Sequence, residues 1–241
     1  MMGDNPTGPS LPDGWDGSKV TPEESDDGVI VPVPIGYVAS DATGEHSVND
    51  GFVIYEGDTE VNDGNVADAK TTRNQFVWIP VEDISQIAKT AQNGGTDGNG
   101  RTNYQGKLYN FSSTDATEWT GYGQGTENFR EPDVVTDYDG TDATEDSSYF
   151  TTAISASMTG KQFKTQLQEE FNEMIESVDT YGGFYIGRYE TGNLASNTTT
   201  EPVVVKGNES ISSVNWYYMY ENSKKIAANN NVVSTMIWGC L

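Results

Sequence analysis

An amphipathic helix that runs through paired glycines straight into a compact aromatic strand constrains this chain more than any other feature. Phe163, Leu167, Phe171, Met174, Ile175 and Val178 recur at helical spacing and build one apolar stripe, with Lys, Gln and Glu between them facing water. Thr159 stands where a cap is needed. Lys161 and Lys164 near the start oppose the usual preference for acids there, so the periodicity carries the helix. Gly182 and Gly183 stop it, because glycine enters a left-handed or tight turn without side-chain cost. The following FYIGRYE alternates, Phe184, Ile186 and Arg188 against Tyr185, Gly187 and Tyr189, which is strand periodicity.

Shorter elements surround this unit. VIVPVPIGYV from Val29 carries prolines that an edge strand tolerates, GFVIYEG spans Gly51 to Gly57, and QFVWIPV spans Gln75 to Val81. Together they predict a small antiparallel sheet. A short helix is predicted from Ile84 to Ala91, a hairpin strand at PVVVKG, and a second main helix from Val214, capped by Ser212 or Ser213. Residues 1–28, dense in Pro, Gly, Asp and Ser, read as a flexible lead-in. The remainder, 29–241, reads as a single α+β domain, with 82–159 as a loop-rich insertion pinned down by aromatics such as Tyr104, Phe111 and Phe129. The apolar run VVSTMIWGCL reads either as a buried terminal element or as a stop inside the fold.

Charge and cysteine content exclude several function classes. With 13 basic against 37 acidic residues the formal charge is -24, a field that repels nucleic-acid phosphates and anionic membranes. Nucleic acid is therefore excluded as a partner. Cys240 is the only cysteine, so neither an intrachain disulfide nor a cysteine-based zinc site is available to one chain. No run of about twenty apolar residues exists for direct membrane insertion, and the N-terminus has no signal-peptide pattern. The single histidine, His46, sits in a polar stretch and reads as a solvated loop residue.

Four segments resemble the sulfatase-modifying-factor family, the formylglycine-generating enzyme domain. FVWIP at Phe76 to Pro80 looks like its early strand, and Phe184 to Glu190 like its aromatic strand. Val214 with Trp216 looks like the opening of its helix, and STMIWG at Ser234 to Gly239 like a divergent later segment. The resemblance covers roughly Val29 to Val81 and Thr159 to Leu241 and implies a C-type-lectin-like fold. Copper-dependent formylglycine formation implies a pair of cysteines, and the related iron enzymes imply a histidine cluster. This chain has one residue of each type.

The resemblance therefore implies a noncatalytic binding or structural domain of a bacterial or phage surface-displayed protein, with a glycan or protein ligand and an extracellular setting. The alternative is a divergent metal-dependent enzyme of the formylglycine-generating or nonheme-iron type. Candidate ligand-binding residues are Arg188 and Glu190, which share one strand parity, and Trp119 and Tyr122 in WTGYGQG, whose rings could stack on a sugar. Two loops offer hard oxygen donors for calcium: Asp137, Asp139 and Asp142 in DYDGTD, and Asn93, Asp97 and Asn99 in NGGTDGNG. Neither has full EF-hand spacing. No catalytic residue is assigned.

Overall fold

The computed structural model describes residues 9–91, 94–107, 109–110, 117–118, 129–130, 160–192, 202–210, 216–226 and 231–236. Over these residues the fold is mixed α+β, with small antiparallel sheets and two main helices. Contacts divide the chain into two compact units, Met1–Pro80 with Thr180–Met236, and Val81–Asp179 with Ile237–Leu241. The segment 82–159, read from sequence as an insertion in a single domain over 29–241, falls inside the second unit together with most of the long helix. No helix among the described residues is long and apolar enough to cross a membrane.

The first unit begins with a hairpin of β1 (Val20–Glu24) and β2 (Ile30–Pro34). Order therefore starts earlier than Val29, inside the predicted lead-in. The signal was hidden by composition: Pro22 faces Pro32, and Pro34 faces Val20, so all three prolines fall on one parity of the ladder. An antiparallel pair alternates between pairs that exchange N–H bonds and pairs that do not, and prolines confined to the second set leave the ladder intact. Val31 and Val33 occupy the other parity and are buried.

The central sheet has the order β11-β5-β4-β3, with β3 at Tyr37–Ala39, β4 at Val53–Glu56, β5 at Gln75–Pro80 and β11 at Gly183–Gly187. All its pairs are antiparallel, with Tyr185 opposite Trp78 and Ile54 opposite Phe76. Side chains alternate between two apolar layers, as the period of two requires. Tyr37, Ile54 and Trp78 join Val31, Val33, Phe52, Val204 and Ile226 on one face. Val53 and Tyr55 join Val61 and Ala69 on the other. Ala69 belongs to α1 (Val66–Thr72), a helix that the sequence reading missed because only Val66 and Ala69 offer it an apolar face. Gly183 lies so close to the Trp78 ring and the Ile79 carbonyl that a Cβ there would collide with both.

The second unit opens with a 3-10 turn at Ile84–Gln86, where the Asp83 carboxylate accepts from Ser85 N at 2.7 Å. β6 (Ala88–Thr90) follows, so the predicted helix from Ile84 to Ala91 is replaced by a turn and a strand. Pairing with a distant partner decides this: β6 lies against β7 (Tyr104–Lys107), Ala88 opposite Gly106. The small two-residue strands β8 (Tyr109–Asn110), β9 (Thr117–Glu118) and β10 (Phe129–Arg130) complete the set. β8 pairs with β9, and β10 joins the free side of β7.

The long helix α2 spans Gly160–Tyr181 and buries Leu167, Phe171, Ile175 and Val178, four members of the predicted stripe. Gly182, at φ 77°, ends it as predicted. The last helix, α3, covers Trp216–Ser223 and buries Tyr220.

Candidate functional site

β11 ends at Gly187, so Arg188 and Glu190 leave the strand and no longer share a side by strand parity. Glu190 is exposed. Arg188 turns inward and places Nη1 2.6 Å from Glu45 Oε1, a partner 143 positions away. Glu45 keeps 4% side-chain exposure, and Lys70 from α1 meets the same oxygen at 2.7 Å. Its second oxygen accepts from Ser40 Oγ at 2.9 Å and Tyr55 OH at 3.0 Å. Four donors thus converge on one buried carboxylate from the 40–46 segment, β4, α1 and the end of β11.

Gln75, fully buried in β5, closes the ring. Its Nε2 donates to Lys70 O at 2.8 Å, its Oε1 stands 3.4 Å from Arg188 Nη1, and its carbonyl accepts from Arg188 N at 3.1 Å. Arg188 Nη1 also reaches Tyr55 OH at 3.3 Å. Burial alone would push the Glu45 carboxyl up, but donation from Lys70, Arg188 and Ser40 outweighs it and holds the group below its ordinary value. Tyr55 moves the other way, because burial and the Glu45 charge both favour its neutral phenol. The cluster is therefore a carboxylate, two cations and a protonated phenol, each already partnered. It holds no activated nucleophile.

A second carboxylate organises the neighbouring loops. Asp27, in the turn between β1 and β2, accepts from Ser25 Oγ at 2.7 Å and Val48 N at 2.9 Å on one oxygen. The other accepts from Asn49 N, Asn49 Nδ2 and Ser47 Oγ. These bonds, that from Ser25 first, hold its carboxyl far below the usual carboxylate range.

In the second unit, Asp97 of the predicted calcium loop has both oxygens engaged within the protein. Oδ1 accepts from Asn99 N and Arg101 N, each at 2.9 Å, and Oδ2 accepts from Asn172 Nδ2 at 3.2 Å. Arg101 stands at 3.9 Å. The Asn99 side chain lies at the exposed tip of this loop. Asn93, Trp119, Tyr122, Asp137, Asp139 and Asp142 lie outside the described residues.

The sequence marks Arg188 as a ligand-binding candidate; the structure pairs it with Glu45, a partner the sequence does not single out. Glu45 and Lys70 carry no local signal, since polar residues in polar stretches read as surface, and Gln75 reads only as the polar start of an apolar strand. Comparison with family models, with curated proteins and with solved structures finds no match for this chain.

Proposed function

We propose that this chain is a noncatalytic, C-type-lectin-like binding or structural domain of a bacterial or phage surface-displayed protein. The observation that carries this reading is the engagement of Arg188. The guanidinium that the sequence marked as a site residue is directed at buried Glu45, where it joins four segments of the first unit. On this reading the cluster is architectural: it joins segments far apart in sequence, and losing either charged partner would leave a buried charge uncompensated. Trp119 and Tyr122, the aromatic pair that the sequence offers, then stack on a glycan or a protein side chain.

The test is a glycan and protein-ligand array probed with the full chain, run beside Trp119→Ala and Tyr122→Ala. The expected result is a bound ligand class lost in both variants at unchanged melting temperature. Binding that survives both substitutions overturns the assignment of these residues. Turnover of any ligand by the purified chain overturns the noncatalytic reading.

A further inference from the structure

The fold takes His46 out of the solvated loop that the sequence predicts. Its side chain retains 14% exposure, and its ring lies 5.2 Å from that of fully buried Phe52. Nδ1 is 3.1 Å from Asp26 Oδ1, while the Asp26 N–H donates to the His46 carbonyl at 2.9 Å. An ionised carboxylate only accepts, so Nδ1 carries a hydrogen and the open question lies at Nε2.

Nε2 is buried and has no hydrogen-bond partner among the described residues. It faces Glu23 Oε1 of β1 and Asp41 Oδ1 of the 40–46 segment, each at 3.9 Å. Among the described residues His46 is the one basic group at ion-pair distance from Glu23, Asp26 and Asp41. Asp27, beside Asp26 in the turn, is a further acid close by, bonded to Ser47, Val48 and Asn49. A neutral ring would leave a buried lone pair turned toward two carboxylates, without a donor to meet it. A proton on Nε2 reverses the sign of both contacts. Glu23 registers that charge: burial pushes its carboxyl up, and the His46 ring opposes the push.

We propose that His46 is a proton-operated latch, whose imidazolium clamps Glu23 of β1 to Asp41 of the 40–46 segment and whose loss of the Nε2 proton slackens that clamp. A proton held by the folded chain and released on unfolding favours the fold at low pH, and that contribution disappears as pH rises. Histidine is the side chain whose ordinary charge change falls between about pH 5 and 8, and His46 is the only one in the chain. Asp27 limits how far the slackening spreads. Its bonds to Val48 and Asn49 hold at either state of the ring, because its carboxyl lies far below the usual carboxylate range.

Hydrogen exchange on the full chain at about pH 6 and about pH 8.5, expressed as protection factors, spans that titration and tests the latch. The Asp26 amide, which donates to the His46 carbonyl, should lose protection at least about fivefold at the higher pH, the cost of an unmet buried acceptor. The Val48 and Asn49 amides should keep theirs. His46→Gln should abolish the pH dependence at Asp26, and Asp41→Asn, at a side chain 57% exposed, should reduce it. Unchanged Asp26 protection in wild type, the same loss in His46→Gln, or an equal loss at Val48 and Asn49 overturns the latch. If His46→Gln does not fold, the ring nitrogen resonances of the wild-type chain at about pH 7 decide. Protons on both nitrogens support the latch, and a ring protonated at Nδ1 alone overturns it.

Discussion

Glu45 in the first unit and Asp97 in the second keep their carboxylates almost wholly out of water, at 4% and 1% side-chain exposure. Two cations and two hydroxyls meet Glu45. Asp97 is met instead by two backbone N–H groups and one amide, with Arg101 standing off at 3.9 Å. The first arrangement neutralises charge with charge, and all its donors except Ser40 come from separate elements. The second neutralises charge with oriented dipoles from a short loop, and needs only Asn172 from elsewhere. Both depress the carboxyl below its ordinary value against the opposing push of burial. A buried acid thus has two routes to ionisation, and they fail differently.

Removing Glu45 breaks the comparison most severely. Glu45→Ala leaves Lys70 and Arg188 facing each other without their anion, and should cost about 3–5 kcal/mol in urea unfolding. Arg188→Met should cost less, about 2–3 kcal/mol, because Lys70 still meets the carboxylate and the loss is that of charged hydrogen bonds. Combining Glu45→Ala with Arg188→Met should cost less than the sum of the two single variants, which the double-mutant cycle reads out. Full additivity would mean that the two residues act independently.

In the second unit Asn172→Ala removes the amide from Asp97 Oδ2 and from Asn103, and leaves Tyr104 N–H without its 3.0 Å acceptor. The expected cost is about 1–2 kcal/mol, with faster hydrogen exchange at the Tyr104 amide as its local signature.

The smallest effect is in pH. Both folded carboxyls lie below their unfolded values, so the stability they contribute is complete above about pH 5 and is lost as pH falls through the folded values. In Asn172→Ala the Asp97 contribution shrinks. Acid unfolding at fixed urea, followed by circular dichroism, should then begin at a higher pH than in wild type. An unchanged difference in unfolding free energy between neutral and acid pH would assign the depression of Asp97 to its backbone donors alone.

Legibility in the sequence followed the range of the interactions. The stripe Leu167, Phe171, Ile175 and Val178 and its stop at Gly182 were legible because a helix repeats its own signal every few residues. β5 and β11 were legible as short apolar runs. β1 was not, because Pro22 disguises a strand whose tolerance of proline depends on register with β2. The segment from Ile84 to Ala91 offered Ile84, Ile87, Ala88 and Ala91 at helical spacing, and pairing of β6 with β7 overrode it. Of the candidate site, only Arg188 was legible, as a charge beside an aromatic strand. Its neighbour Glu190 carried the same local signal and ended at the surface.

The sequence by itself determined the α+β character, the long amphipathic helix and the aromatic strand beyond it, because periodicity and glycine stops act over one or two turns of chain. Tertiary structure alone decided which charges are architectural. Glu45 is buried with four donors on its carboxylate, yet in sequence it is one acid among 37. Its meaning comes from Arg188, Lys70, Tyr55 and Ser40, brought within about 3 Å by four separate elements. Electrostatics in a low-dielectric interior depends on distance in space, and no pattern along the chain encodes that distance.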